Sequence, residues 1–252
     1  MKKLKPSRRE LRREALREET VRRNSQHARR EFETANIIKP IIPKNEFQRE
    51  LHTSMMEAQV VFVDAPAGCG KTFVLMSQAA DWLKQNKIQK IVLSRPSVGM
   101  GKSLGLLPGT LKEKFEPYLM PLVDVIKGRY GHGFYECQMG LGNIEFVPLE
   151  YVRGRSFENA VVIVDESQNT KPDEMYSIMT RLGENSKLFC IGDSEQNDMV
   201  GENGLDWAID FINRHALGDY AAVVEGTSDD IVRSGFCKAV VKAMELDNEG
   251  GE

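Results

Sequence analysis

One short segment has the composition of a phosphate-binding loop: Ala65, Pro66, Ala67, Gly68, Cys69, Gly70, Lys71 and Thr72. It follows a β-branched run that ends at Asp64 and precedes a helical pattern that starts near Phe73. Backbone N–H groups in such a strand–loop–helix unit converge on a β-phosphate, and the helix N-terminus adds partial positive charge. Lys71 is expected to reach the β- and γ-phosphates, and the Thr72 hydroxyl to bind Mg²⁺. The segment predicts a nucleoside triphosphate site, although Ala65 stands where the usual pattern has glycine.

Two acidic residues, Asp165 and Glu166, end a second apolar run. Ligands of α/β sheets bind at the carboxyl ends of the strands, so Asp165 is expected to hold Mg²⁺ and Glu166 to polarise a water molecule. A third run ends at Gly192, and Gln196 beyond it is a candidate for sensing the γ-phosphate or orienting that water. Each polar group alone is also typical of an ordinary strand-end turn. Their occurrence beside a phosphate loop predicts hydrolysis chemistry.

Residues 99–103 (Gly-Met-Gly-Lys-Ser) resemble a second phosphate loop in composition. Pro96 occupies the place of the first glycine, and Pro108 and Gly109 oppose a following helix. Without a helix N-terminus the anion site is incomplete. We expect these residues to form a loop that contacts nucleic-acid phosphates.

Alternating strand and helix patterns predict a three-layer α/β fold with a mainly parallel sheet. The predicted strands are Val60–Asp64, Ile91–Ser94, Val161–Asp165, Leu188–Gly192 and Ala221–Glu225. The predicted connecting helices include Phe73–Lys84 and Pro172–Leu182. Residues 97–150 interrupt this alternation and are interpreted as an insertion with a helix around Leu111–Lys127.

Charge is distributed unevenly along the chain. Residues 1–30 contain 12 Lys and Arg against 4 Glu, a balance of +8, so the other 222 residues carry −11 of the net charge of −3. The sequence therefore divides into a basic arm (1–44), a main domain (45–240) and an acidic tail (241–252), of which residues 247–252 are expected to lack structure. The arm is either a solvated tail, a contact for nucleic acid or a strap between subunits.

The chain lacks signals for membranes or disulfides. No apolar stretch approaches the roughly 20 residues that cross a bilayer, and the four cysteines show no paired spacing. We expect a soluble, cytoplasmic protein with reduced thiols.

Taken together, the motifs resemble the PhoH family of P-loop ATPases, which is similar to the first, RecA-like motor domain of superfamily 1 helicases. The resemblance spans roughly residues 45–235. Beyond the phosphate loop it rests on Arg95-Pro96, residues 104–109, Pro117-Tyr118 with Pro121, Arg153-Gly154-Arg155, residues 165–169, Arg181-Leu182-Gly183, Gly192-Asp193 with Gln196 and Asp198, and Asp230–Arg233. It implies Mg²⁺-dependent ATP hydrolysis with single-stranded RNA as the expected partner. It also implies an adenine-reading role for Gln48, although Asn45 as a helix cap explains part of that signal.

Arg95, Arg153 and Arg155 are the candidates for binding nucleic-acid phosphates, because guanidinium groups bind phosphate through two hydrogen bonds. Arg153 or Arg155 could instead face ATP. The alternative is that these arginines are surface residues paired with acids such as Glu150 and Glu158.

Motors of this type close the ATP site with an arginine that a second domain supplies. This chain has one such domain, so the arginine must come from the same subunit or from a neighbour. Arg233 is the first candidate and Arg181 the second. Repeated head-to-tail contacts close into a ring when the rotation between subunits allows, and we expect a ring-shaped homo-oligomer, with a hexamer favoured by analogy with related motors.

Two other functions remain open at this point. One is a P-loop kinase that transfers phosphate to a small molecule. The other is a binding protein that responds to ATP with little turnover.

Overall fold

The computed structural model describes residues 39–96, 111–152, 154–197 and 201–249. Within these residues the strands are β1 (Val60–Asp64), β2 (Lys90–Ser94), β3 (Ile144–Phe146), β4 (Ala160–Val164), β5 (Lys187–Gly192) and β6 (Ala221–Glu225). They form one parallel sheet in the order β3-β2-β4-β5-β1-β6. The predicted α/β fold with a parallel sheet is therefore confirmed.

Helices cover both faces of this sheet. The α-helices of the described residues are α1 (Glu46–Glu57), α2 (Lys71–Lys84), α3 (Leu111–Tyr130), α4 (His132–Gly140), α5 (Pro172–Met179), α6 (Gly204–Arg214) and α7 (Gly235–Glu249). One apolar cluster joins the sheet to α1, α2, α3 and α4, and a second joins it to α5 and α6. No helix in the described part of the chain is both long enough and apolar enough to cross a membrane.

The central strand β4 shows why the sequence produces three layers. All five of its residues are buried, because side chains that alternate along the strand meet helices on both sides. Val161 and Ile163 pack in the cluster of α2, whereas Val162 and Val164 pack in the cluster of α5 and α6. In a parallel sheet all strands end on the same side. We call the side where the strands end, and where the segments after β1, β4 and β5 leave the sheet, the carboxyl edge, and we call the opposite side, where the strands begin, the amino edge.

The five predicted strands are found with each end within one residue of its expected position. No pattern in the sequence indicates β3, which lies inside the segment interpreted as an insertion and forms an edge of the same sheet. The predicted helix at Leu111 extends to Tyr130. The helix expected over Pro172–Leu182 ends earlier, at Met179. The glycine-containing run 99–103 and residues 1–38 of the basic arm lie outside the described residues.

The expectation of an unstructured segment from residue 247 is wrong for Asp247–Glu249. These residues belong to α7, which also runs across the boundary predicted at residue 240. The contacts of this helix include Val241, which packs against the core cluster, and Lys238 and Lys242, which pair with Asp229 at 3.2 and 2.7 Å.

Candidate nucleotide site

The phosphate loop connects β1 to α2, as the sequence predicts. Gly68 and Gly70 have φ angles of 102° and 90°, which glycine adopts without strain. A side chain at position 70 would also collide, since a Cβ on Gly70 would lie 2.5 Å from Gln48 Nε2. Gly70 is the N-cap of α2, so the first helical N–H groups face the loop. This arrangement forms a concave surface of backbone donors that suits an anion.

Alanine is accommodated at the first position of the loop. Ala65 is buried and is not among the residues with positive φ, so its methyl group causes no backbone strain. A neighbouring glycine leaves the necessary space, because a Cβ on Gly226 would lie 2.7 Å from the Ala65 Cβ. Cys69 is also buried, and burial raises the pKa of its thiol to about 11. Both side chains belong to the apolar core cluster on which the loop rests.

The Lys71 ammonium group turns toward the loop itself. It donates hydrogen bonds to the carbonyl oxygens of Ala65 and Pro66. Burial lowers the pKa of Lys71, and nearby acidic groups, Asp193 foremost, oppose this shift. A part-buried cation at the positive end of a helix is well placed to bind a polyanion.

Asp165 and Glu166 lie in the same cleft as Lys71 and Thr72. The Arg95 guanidinium approaches both, with distances of 3.5 Å to Asp165 Oδ2 and 3.3 Å to Glu166 Oε1. Burial raises the pKa of Asp165 to about 6, although Arg95 opposes the shift. Glu166 has a left-handed backbone (φ 52°, ψ 43°), an uncommon conformation for a residue other than glycine. Such strain is typical of functional sites.

The oxygen donors of this cleft fit Mg²⁺. Asp165 offers a carboxylate whose side chain is only 15% exposed, and Thr72 offers a hydroxyl at the start of α2. The described residues contain no group of three or more His, Cys, Asp or Glu side chains that could hold a metal by themselves. Mg²⁺ commonly binds through one or two protein oxygens, with water and nucleotide phosphates completing its octahedron.

The turn after β5 brings a third polar group to the cleft. Gln196 lines the cleft and donates a hydrogen bond from Nε2 to Asp193 Oδ2 at 2.7 Å. Asp193 in turn accepts a hydrogen bond from the Ala67 backbone, and burial raises its pKa. The turn is thus joined directly to the phosphate loop.

The predicted adenine-reading residue, Gln48, supports the loop in this structure. Its Nε2 donates to the Cys69 carbonyl at 2.8 Å, and its Oε1 accepts from the Lys44 N–H at 3.0 Å. The predicted cap is also present, because Asn45 Oδ1 accepts from the Gln48 N–H at 3.0 Å. Gln48 is 2% exposed, so both ends of its amide are used inside the protein.

The two candidate arginines lie at different edges of the sheet. Arg233 lines the cleft, and a Cβ on Gly68 would lie 3.2 Å from its Cδ. Arg181 follows α5, and its carbonyl accepts from the Phe157 N–H at 2.9 Å, near the amino end of β4. Within one chain, Arg233 lies against its own phosphate loop and Arg181 does not line the cleft.

Arg95 and Arg155, both predicted to contact nucleic acid, differ in their surroundings. Arg95 lies in the cleft, beside Asp165 and Glu166. Arg155 pairs with Glu145 at 2.7 Å rather than with Glu150 or Glu158. Its guanidinium also lies 5.3 Å from the centre of the Phe157 ring. Arg153 lies outside the described residues.

Comparison with known proteins agrees with this geometry. The family model described as PhoH-like protein matches residues 40–245. The chain belongs to the PhoH family. It is 40% identical over 212 residues to the PhoH-like protein of Bacillus subtilis strain 168, covering 83% of this chain and 66% of that protein. It is 36% identical over 208 residues to Protein PhoH of Escherichia coli K12, with shares of 81% and 58%. The PhoH-like protein of Mycobacterium tuberculosis H37Rv is 37% identical over 215 residues, with shares of 84% and 60%.

The chain thus spans about three fifths of the length of these PhoH relatives. Sequence reasoning missed the places of two residues at this PhoH-family site: Arg95 lines the cleft, and the buried Gln168 contacts Glu166. Arg95 is predicted from the sequence to contact nucleic acid, although it follows a strand in the same way as Asp165, which is the signal that could have placed it here. Gln168, two residues after Glu166, receives no role from the sequence.

Proposed function

We propose that this protein binds ATP with Mg²⁺ and hydrolyses it, and that hydrolysis is coupled to the binding, remodelling or movement of single-stranded RNA. The observation that supports hydrolysis most is that Lys71, Asp165 and Glu166 line one cleft of about 570 Å³ beside the phosphate loop. We place the activity in the cytoplasm, because the four cysteines, all within the described residues, are free.

Each side chain has a distinct task in this proposal. Lys71 exchanges the carbonyl oxygens of Ala65 and Pro66 for β- and γ-phosphate oxygens. Mg²⁺, held by Thr72 and Asp165, neutralises charge on those oxygens when it is bound. Glu166 accepts a proton from a water molecule, whose oxygen forms a bond to the γ-phosphorus while the bond to ADP breaks.

Glu166→Gln tests the assignment of the base. The variant keeps the shape of the side chain and leaves Thr72 and Asp165 in place, so it should bind ATP but release phosphate about 10²- to 10⁴-fold more slowly. Phosphate release and ATP binding are measured on the same preparations, with the exposed Glu184→Gln as the matched control. Normal release by Glu166→Gln would show that Glu166 is not the base.

The same assay separates the alternative functions. Tight ATP binding with negligible turnover in the wild-type protein supports a switch. Phosphate transfer to a small acceptor instead of water supports a kinase. Release that single-stranded RNA stimulates more than single-stranded DNA supports the proposed coupling.

We propose that the basic segment 1–30, Arg153 and Arg155 contact RNA, because the Arg155 side chain is partly exposed even though it pairs with Glu145, whereas Arg95 lies in the cleft beside Asp165 and Glu166. Deleting residues 1–30 should reduce RNA affinity. It should also make the dependence of log K on log[salt] shallower, by about 0.7 for each RNA phosphate that the segment neutralises. An unchanged slope would exclude this segment from the RNA interface. Hydrolysis without RNA should survive, since the cleft residues lie downstream.

We also propose that the protein works as a homo-oligomeric ring, with a hexamer favoured, and that Arg233 neutralises charge at the γ-phosphate. Its position beside Gly68 in the cleft supports action within the same subunit. Mixing Arg233→Ala with Lys71→Ala subunits tests the alternative. Regained activity in the mixture would show that Arg233 serves a neighbour, and a fully active monomer in light scattering would contradict the ring.

A further inference from the structure

Gln168 is a buried amide beside the proposed base. It lies in the short 3-10 turn Ser167–Asn169 that follows β4, and its side chain is 1% exposed. A buried amide is stable only when its donors and acceptor are bonded, so its partners show what holds it in place.

The donor end of this amide binds the base. Gln168 Nε2 lies 2.7 Å from Glu166 Oε2 and 3.4 Å from the Gln196 carbonyl oxygen. The other carboxylate oxygen, Glu166 Oε1, lies 3.3 Å from Arg95 Nη2. The Glu166 carboxylate is therefore held from two sides.

The acceptor end of the same amide binds the turn after β5. Gln168 Oε1 accepts a hydrogen bond from the Asp193 N–H at 3.2 Å. The preceding residue must be glycine for this contact to form, because a Cβ on Gly192 would lie 2.6 Å from Gln168 Oε1. Two neighbouring strand ends, those of β4 and β5, are thus joined through one side chain.

We propose that Gln168 is a positioning residue that fixes the Glu166 carboxylate for activating water and links it to the turn that contains Gln196. This inference rests on the proposed hydrolysis and adds the residue that orients its base. An amide satisfies both ends, since an ionised glutamate at position 168 could accept from Asp193 but could not donate to Glu166.

Four proteins test the link: the wild type, Glu166→Gln, Gln168→Glu and the double variant. Gln168→Glu places two carboxylates against each other, so it should lower the unfolding temperature and reduce kcat about 10- to 100-fold. The affinity for a non-hydrolysable ATP analogue should stay within about twofold. The matched control is Gln78→Glu, since Gln78 is also buried but contacts His52 instead of Glu166.

The double variant distinguishes positioning from a general structural role. It exchanges the two groups, so the new Gln at 166 can donate to the new Glu at 168, and the unfolding temperature should recover. Hydrolysis should not fall below that of Glu166→Gln alone, because a residue that acts only through the base has nothing left to position.

Three results would overturn the proposal. Wild-type kcat in Gln168→Glu would show that the contact is not needed. An equal further loss of rate in the Glu166→Gln background would show that Gln168 acts independently of the base. A double variant with no recovery of stability would show that the two side chains do not interact, and this readout holds even if the wild-type protein proves not to hydrolyse ATP.

Discussion

Two part-buried lysines lie at opposite edges of the sheet, and the ends of the helices that they face are also opposite. Lys71 lies at the N-terminus of α2, whereas Lys187 lies at the C-terminus of α1. Burial lowers the pKa of both Lys71 and Lys187. Lys187 begins β5 at the amino edge, and its ammonium group donates to the carbonyl oxygens of Met55, Met56 and Ala58, where α1 ends. The partial negative charge at the end of a helix favours that cation.

Lys71 has the reverse situation, because it lies at the positive end of α2. The carbonyl oxygens of the phosphate loop are its hydrogen-bond partners in the structure. Burial also disfavours the ionised form of the nearby Asp165, whose pKa is raised. The amino edge therefore uses its lysine to complete the fold. The carboxyl edge keeps buried charges that a bound anion and a cation would satisfy.

Lys71→Ala should have the largest effect on activity. Removing the ammonium group should reduce phosphate release more than 10²-fold and weaken ATP binding, because a charge beside the phosphates is removed. The free energy of unfolding without nucleotide should stay within about 0.5 kcal/mol of the wild type or rise, since a buried charge is removed. Lys84→Ala, at the other end of α2, is the control for both measurements. A large loss of stability in Lys71→Ala would contradict the contrast between the edges.

Asp165 should make Mg²⁺ binding sensitive to pH. Its pKa is raised to about 6, so below that pH the carboxyl is protonated and Mg²⁺ affinity in the presence of ATP should fall about tenfold per pH unit. Titrations of Mg²⁺ at several pH values measure this. Affinity that is constant from pH 7 to pH 5 would remove Asp165 from the metal site.

The same shift affects folding with a defined sign. The folded pKa lies above the unfolded value, so this group stabilises the fold below about pH 4, and the contribution is lost as pH rises through about 6. Asp165→Asn should therefore raise the free energy of unfolding at pH 7 by about 1–2 kcal/mol. This gain is smaller than the pKa shift alone implies, because the substitution removes one of the two ion-pair partners of Arg95. Chemical denaturation at pH 7 and pH 4 should show the gain only at pH 7.

Lys187→Met should have the smallest effect on hydrolysis. It should lower the free energy of unfolding, which is the opposite of the change expected for Asp165→Asn. The carbonyl oxygens at the end of α1 lose their donor, which should lower the free energy of unfolding by about 1–3 kcal/mol. ATP hydrolysis should stay within about twofold of the wild type. The matched control is Lys87→Met, because Lys87 lines the same amino-edge pocket but is exposed. Equal stability of the two variants would contradict the role given to Lys187.

The features that the sequence predicts are those that depend on residues close together along the chain. The phosphate loop and its flanking strand and helix are local, and β4 is recognisable because four β-branched residues precede Asp165. In contrast, β3 was missed because three residues, Ile144–Phe146, are too few to show a pattern.

The unpredicted parts of the site depend on strand order. Arg95 reaches Asp165 and Glu166 because β2 lies beside β4, and Gln168 reaches Asp193 because β4 lies beside β5. Neither adjacency follows from position along the chain. The role of Lys187 was also missed, since its partners lie about 130 residues earlier.

The close approach of Ala65 to Gly226 links two positions that are distant in the sequence. The methyl group that replaces hydrogen at the start of the phosphate loop fills the space that a methyl group on residue 226 would need. The Phe47 ring closes the other side, because the same methyl group on residue 226 would lie 2.9 Å from two of its carbon atoms. In a library that randomises positions 65 and 226, glycine should therefore be retained at 226 even where glycine replaces Ala65, since the Phe47 ring remains in place.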